Sequence, residues 1–507
     1  MSKILIDGRN LNLASVVAVA RGGAQVELTD EAKSAITRSR DYVDKLVADG
    51  RIVYGITTGF GDFADVPIPT EQVAALQRNL IVSHACGIGQ FFSDEVVRAI
   101  MLLRINALST GYSGIRLSTV QTLIDMLNAG VTPVIPEKGS LGASGDLAPL
   151  AHMTLPLIGL GEAFYQGEFL SGGEAMARAG IAPVELAAKE GLALINGTQV
   201  MTAIGAITVH DGKNLLKLAD ISAALTAEAL SGITDAYNPS LHALRPHSGQ
   251  VKVAANMLML LEGSGNTTRQ GEKRVQDAYS LRCVPQIHGA SRDALDFVEQ
   301  KLLIEINSVT DNPIILPEED AAISGGNFHG QPVALAFDFL AIALAEIANV
   351  AERRIERLVN PTLSGLPAFL TTKGGLNSGF MIAQYAAAAL VSENKVLAHP
   401  ASVDSIPSSA GQEDHVSMGT IAARKASEVL YNAKRVTGIE LLAAAQAIDL
   451  NPCNKKLGKG TQTAYEIIRK IVEKLDCDRE LYIDFEKMGI LVDANIIVDA
   501  VEQNISS

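Results

Sequence analysis

Apolar side chains return every three or four positions along most of this chain, and that period predicts helices. The first clear run spans Asp30 to Asp49, with Ile36, Val43, Leu46 and Val47 on one side, Thr29 or Asp30 as its cap and Gly50 at its end. The same spacing predicts helices over 71–81, 94–109 and 118–129, then a long one over roughly 187–230. It resumes over 291–357, 378–397 and 416–447, and Ala464, Ile467, Ile468, Ile471 and Leu475 mark one more. Residues 3–28 hold two short apolar runs and read as a small strand or loop entry. Residues 231–250 and 263–272 are polar connections bearing Gly, Ser and Pro. The segments 333–351 and 383–392 are apolar nearly all round, so they must be covered on every side. A large bundle whose outer faces are buried in an oligomer meets that demand. The most apolar stretch, Pro332 to Ala351, contains Asp338 and Glu346, which favours a buried bundle helix over a membrane span.

Composition supports the same picture. The 507 residues are 48% hydrophobic, rich in Ala and Leu, with 5% aromatics and no Trp, which favours close-packed helices over a β-sandwich. That length predicts two or three structural regions. The net charge of -14, with no basic run longer than Arg353-Arg354 or Lys455-Lys456, gives no reason to expect nucleic acid or a membrane surface as partner. Cys86, Cys283, Cys453 and Cys477 form no CxxC pair and suit free thiols in a reducing compartment. The first residues lack a long apolar run of the secretory type, so the expected location is cytoplasmic.

Chemistry concentrates in Gly139-Ser140-Leu141-Gly142-Ala143-Ser144-Gly145-Asp146-Leu147-Ala148-Pro149-Leu150. Three glycines in seven residues let the backbone turn back on itself. Asp146 then reads as a helix N-cap, with Pro149 early enough in the helix to be tolerated. A phosphate cradle is the plain alternative, but no Gly-Lys-Ser/Thr follows. The sharper reading is that the turn presses the Gly145 amide nitrogen onto the Ala143 carbonyl. The backbone then cyclises and Ser144 loses its hydroxyl as water. The helix N-terminus beside the product stabilises negative charge developing on it.

This twelve-residue run resembles the signature of the aromatic amino-acid ammonia-lyases, and the resemblance extends over nearly the whole chain. It includes INGTQ, QDAYSLRC, SGGNFHGQP, ERRIERLVNP and ASVDSIPSSAGQEDHVSMG. It implies that Ala143-Ser144-Gly145 becomes 4-methylidene-imidazole-5-one (MIO), with no external cofactor. It also implies a mainly α fold, a long helical bundle of the fumarase/aspartase-like type with a smaller N-terminal region. We place that region at residues 1–195, carrying the lid loop and the MIO-forming segment, and the bundle at 196–507. The family assembles as a homotetramer whose active sites each draw on three subunits.

Expelling an amine needs a better leaving group, a base for the β-proton, a grip on the carboxylate and recognition of the side chain. Tyr54 heads a second glycine-rich loop, YGITTGFG. A Tyr on such a loop can close over a site and exclude water, though alone it reads as a packing residue. The family's lid carries its base at this place. Arg282, taken alone a surface cation, matches the family's carboxylate clamp, because a guanidinium grips a carboxylate through two parallel hydrogen bonds. Gln276 falls in the same motif and is assigned to substrate binding, and Tyr279 would be a second hydroxyl near the ring. Asn196 alone reads as an Asn-Gly turn. In the family the matching Asn contacts the MIO carbonyl oxygen and the substrate. Asn312, before Pro313, and Phe328, otherwise a turn and a core residue, would serve the substrate pocket.

Two positions bear on the substrate. His84, in LQRNLIVSHACGIG, suits a polar ring, where phenylalanine-specific relatives typically carry Phe-Leu. Glu413, in SSAGQEDHVSM, can hold an imidazole N–H and would be costly against a bare phenyl ring. Relatives mostly carry Asn where this chain has Gly411. Together the pair points to L-histidine as substrate, converted to trans-urocanate and ammonia. The rivals are a phenylalanine or tyrosine ammonia-lyase, a 2,3-aminomutase of the same family, and a non-catalytic helical scaffold. His84, His329 and His415 with Glu413 or Asp414 match no standard metal spacing, and no metal is expected.

Overall fold

The structure, a computed structural model, describes residues 3–506 and is mainly α, as the apolar period predicts. The chain divides into two compact units. One comprises Met1–Ile207, Val298–Asp338 and Pro400–Arg424, and the other Thr208–Phe297, Phe339–His399 and Lys425–Ser507. The division falls inside four long helices, Gln199–Ala229, Val284–Ile306, Gln331–Val359 and Gly419–Leu450.

The described strands are short and belong to the first unit. Lys3–Ile6 and Gln25–Leu28 pair in parallel, with Lys3 opposite Gln25. A parallel pair needs a crossover. Helix Leu13–Ala20 supplies it where only a strand or loop was expected, and the Asn12 side chain caps it by accepting from the Ser15 amide at 2.9 Å. Of the two expected caps, Thr29 is the one that starts helix Asp30–Ala48, which buries Ile36, Val43 and Leu46. Val43 and Leu46 join Tyr42, Ile56, Val73, Ala188 and Ile315 in one apolar cluster, which ties the base of the Tyr54 loop to the first unit's core. Helices Val73–His84, Asp94–Ser109 and Leu117–Ala129 also follow the predicted spacing.

Three departures have local causes. The predicted helix over 187–230 is two helices, Glu190–Ile195 and Gln199–Ala229, broken where Gly197 takes φ 143°. The predicted run over 291–357 is interrupted by a hairpin, Ile314–Leu316 with Ala321–Ile323, flanked by Pro313 and Pro317, which helix interiors reject. The connection over 231–250 gives way to helix Ser248–Leu260. Two further helices, Leu481–Asp493 and Ile496–Ser506, follow Lys459–Ile471.

In the second unit, residues of the four long helices meet through buried charge. Arg354 and Glu440 are both fully buried and pair at 2.5 and 2.9 Å. Thr226 donates to the same Glu440 at 2.8 Å. Arg354 also stands 3.4 Å from His288 Nε2, whose Nδ1 contacts Asp220 at 2.8 Å, and Arg292 reaches Asp220 at 2.6 Å. Burial lowers the proton affinity of His288. Helix Gln331–Val359 is, by length and composition alone, long and apolar enough to cross a membrane, but 67% of its most apolar window is buried.

A buried pair fails badly when one partner is removed, because the other charge is left unpaired. Glu440→Ala should cost about 3–5 kcal/mol, whereas Arg354→Met with Glu440→Leu should cost less than Glu440→Ala alone. Chemical denaturation at one fixed protein concentration checks the order.

Candidate active site

The glycine-rich run lies between strand Pro136–Lys138 and helix Leu147–Thr154. Gly142 and Gly145 sit at φ 71° and 76°, in the left-handed region that costs other residues about 1–2 kcal/mol. Gly145 forms a parallel bridge with Gly197. The Gly197 amide donates to the Ser144 carbonyl at 3.3 Å, and the Asp146 amide donates to the Gly197 carbonyl at 2.7 Å. A Cβ on Gly145 would fall 2.1 Å from the Gly197 carbonyl oxygen, and one on Gly142 would fall 2.3 Å from Ser417 Oγ. No side chain fits at either position.

Asp146 occupies the N-cap position of its own helix, yet its carboxylate does not cap it. This corrects the expected role. The carboxylate instead accepts from the amides of Val200 and Met201 at 3.0 and 2.9 Å, so it caps helix Gln199–Ala229 across the break. Ser140 Oγ at 2.8 Å and the Thr420 hydroxyl complete its shell. Burial pushes the Asp146 carboxyl up, and those four hydrogen bonds pull against it. Behind the break, Arg104 Nη1 donates to the Asn196 carbonyl and to Gln199 Oε1, both at 2.7 Å. Burial lowers the Arg104 pKa to about 10. Nothing in the apolar spacing of helix Asp94–Ser109 marks Arg104 as part of a site.

A cavity of about 570 Å³ opens beside this turn, and Tyr54, Phe60, His84, Ser144, Asn196 and Glu413 are among its lining residues. A neighbouring cavity of about 250 Å³, lined by Ala143 and Gly145, shares His84 and Glu413 with it. The Ser144 hydroxyl donates to Glu413 Oε1 at 3.0 Å, and Ser408 donates to Oε2 at 2.7 Å. Ser408 was not anticipated from sequence. Its place follows from a tight turn in which Ser408 and Glu413 pair with each other. Gly411 in that turn takes φ 89°, and a Cβ there would meet nothing within 4 Å. The constraint is the dihedral alone, which Asn tolerates better than most residues that carry a Cβ.

Tyr54 stands edge-on to Phe60 at 6.5 Å, and its hydroxyl accepts from the Gly61 amide at 3.4 Å. Burial pushes the Tyr54 phenol up, the Gly61 contact pulls it down, and the Glu413 charge pushes it up again. Burial holds His84 below the ordinary imidazole range, against the Leu80 carbonyl and Glu413, which favour its charged form. Asn196 Oδ1 is buried without a hydrogen-bond partner, an open acceptor on a cavity-lining residue.

Other predicted residues lie elsewhere. Asn312 is buried and accepts from the Gly325 amide at 2.8 Å, and Phe328 is half-buried; neither lines the cavity. Gln276, Tyr279 and Arg282 belong to the second unit and do not line it either. Tyr279 is 68% exposed, with the Arg282 guanidinium 4.6 Å above its ring. His329 and His415 stack at 5.9 Å, and among the described residues no group of three or more His, Cys, Asp or Glu is arranged to hold a metal ion.

Residues 11–470 match the family model described as aromatic amino acid lyase. The chain is 65% identical to a histidine ammonia-lyase of Alkaliphilus oremlandii, over 99% of both chains. Among solved structures it resembles histidine ammonia-lyase from Trypanosoma cruzi, at 44% identity and a TM-score of 0.92, covering 99% of this chain and 95% of that one. It also resembles tyrosine aminomutase from Streptomyces globisporus, at 39% identity and a TM-score of 0.95 over 99% of each chain.

The Gly145–Gly197 approach predicts a severe effect from one methyl group. Gly145→Ala should lose about 1–2 kcal/mol to the left-handed backbone and about 1–3 kcal/mol more to overpacking against Gly197. Thermal melting should show a lower midpoint than in wild type, and an unchanged midpoint would mean that the approach is looser than the structure has it.

Proposed function

The chain belongs to the aromatic amino acid lyase family, and within it we propose that this protein is a histidine ammonia-lyase, eliminating ammonia from L-histidine to give trans-urocanate. The observation that carries this reading is that His84 and Glu413 both line the cavity containing Ser144, with Glu413 in contact with that serine. A phenyl ring would offer neither group a hydrogen-bond partner.

We propose that Ala143-Ser144-Gly145 cyclises to MIO. The segment fits: its residues are small, Gly145 is held in a conformation and a space that only glycine accepts, and the Ser144 hydroxyl is accessible from the cavity. Once formed, the ring supplies an electrophile that turns the substrate amine into a leaving group. Loss of the Ser144 hydroxyl leaves Glu413 Oε1 without its partner, while Ser408 still holds Oε2. Glu413 is then an oriented acceptor for an imidazole N–H. The open Oδ1 of Asn196 is a second acceptor. The first amides of helix Leu147–Thr154 place positive partial charge near position 144. Tyr54 is the proposed base for the β-proton.

Arg282 is proposed to hold the substrate carboxylate, Gln276 to bind the substrate and Tyr279 to bring a second hydroxyl near the ring, all in the site of another copy, in a homotetramer. Two features support this: these groups do not line the cavity of their own chain, and Ile342, Ile382, Tyr385 and Val396 leave large apolar surface exposed. Asn312 and Phe328 are proposed to serve the substrate through the loop that Asn312 anchors at Gly325. Four free cysteines, three of them exposed, support a reducing, cytoplasmic setting.

Ultraviolet monitoring of histidine with the purified protein should show urocanate; a β-amino acid product would point to an aminomutase instead. Ser144→Ala should abolish turnover and, by intact mass, lack the loss of two waters expected of the wild type. Glu413→Gln should lower kcat/KM for histidine by about a hundredfold or more. Because Tyr54 is pushed above the ordinary phenol range, its base form grows only as pH rises. Turnover should therefore climb on the alkaline side of neutrality, and a Tyr54→Phe variant should lose that limb.

A further inference from the structure

The helix that ends at His84 fixes what its ring can offer the cavity. Leu80, Ser83 and His84 lie in the last turn of helix Val73–His84. The Ser83 hydroxyl is 3.1 Å from the Leu80 carbonyl oxygen and 3.0 Å from His84 Nδ1. Both contacts are hydrogen bonds only when the hydroxyl donates to the Leu80 carbonyl, which can only accept, and Nδ1–H donates to Ser83 Oγ. Ser83 Oγ then has only lone pairs to turn toward Nδ1, and the hydrogen in that contact must belong to Nδ1. The Leu80 carbonyl bears on the His84 ring as well and favours hydrogen on it. With burial keeping the ring neutral, it carries one N–H, and Nε2 is left as a lone pair.

We infer that Ser83 is a positioning residue: it locks His84 in the tautomer whose Nε2 accepts, so that the cavity selects a substrate ring by the N–H it donates. This rests on the histidine reading above and deepens it. His84 and Glu413 both line the cavity, and each then has lone pairs for a ligand bound there. A neutral imidazole brings one N–H and satisfies one of them, and an imidazolium satisfies both. A ring of the same size whose nitrogen only accepts leaves a half-buried acceptor unpaired, and that loss is the basis of rejection. Without the Ser83 hydroxyl only the Leu80 carbonyl still favours hydrogen on the ring there, the tautomer with hydrogen on Nε2 gains population, and the preference weakens.

The test compares the full-length protein with its Ser83→Ala and Ser83→Thr variants. L-histidine serves as substrate, and β-thiazolyl-L-alanine, whose ring nitrogen has no hydrogen, serves as competitive inhibitor. Ser83→Ala should raise KM for histidine and lower the inhibition constant of the thiazole. Their ratio should shift by about fivefold, the worth of one neutral hydrogen bond, with a smaller change in kcat. Ser83→Thr keeps the hydroxyl and should keep the wild-type ratio. A merely structural role would move both ligands together, so an unchanged ratio in Ser83→Ala overturns the inference. If the wild type makes no urocanate, the substrate reading falls instead. The same ratio taken from calorimetric binding then decides the role of Ser83 without turnover.

Discussion

The site depends on two backbones brought closer than side chains would allow. Gly145 and Gly197 form a bridge at which a Cβ on Gly145 would run into the Gly197 backbone and one on Gly197 into the Gln199, Arg104 and Thr310 side chains, and backbone hydrogen bonds run across it from either side. One partner is the turn that carries Ser144, and the other is the break between helices Glu190–Ile195 and Gln199–Ala229. Asp146 bridges them, with its amide on Gly197 and its carboxylate on the first turn of the second helix. The glycine-rich turn is therefore held from the side by a helix whose second residue, Val200, lies 54 positions beyond Asp146. Local sequence alone could not keep such a turn rigid, because glycine loses more entropy on ordering than any other residue.

Holding the break in place requires buried charge. Arg104 is fully buried, yet only its Nη1 donates to the break, while Nε and Nη2 find no hydrogen-bond partner among the described residues. Lys189 and Asp311, also buried, pair at 2.8 Å nearby in the same unit. Such groups cost desolvation and are weak contributors to net stability. Their place here is geometric: a guanidinium spans the gap between a carbonyl freed by the helix break and the Gln199 side chain, which an apolar residue could not do. The first unit carries this cost at the glycine-rich turn, while the second concentrates its buried charge around Arg354, Glu440 and Asp220.

Much of this was legible in the sequence where one period or one cap decided the outcome. Helix Asp94–Ser109 and the Thr29 cap follow directly from spacing and residue type. The glycines of the reactive turn were legible because positive φ has few other tenants. What was not legible depends on partners far away in sequence. Asp146 reads as a cap for its own helix and instead caps another. Asn196-Gly197 reads as a short turn, but the run around it is so helical that the break disappears into the pattern. Ser408 gave no signal, since a serine earns a role at Glu413 only after the 408–413 turn closes.

Tyr279 and Arg282 present the opposite problem, chemistry-bearing groups on an exposed turn. Exposure usually means mobility, but here the turn is pinned from beneath. Tyr237 donates to the Leu281 carbonyl at 3.1 Å, and Arg282 Nε donates to the Asp277 carbonyl at 2.9 Å. Asp277 in turn accepts from the Ile233 amide at 2.6 Å. The guanidinium is also stacked on the Tyr279 ring, which limits both side chains. A turn that is open to solvent yet has its backbone fixed by buried partners is what a group must occupy if it is to act in another chain's cavity: it has to reach out without losing its orientation. The fixed backbone is what the proposed site shared between copies would require of this turn.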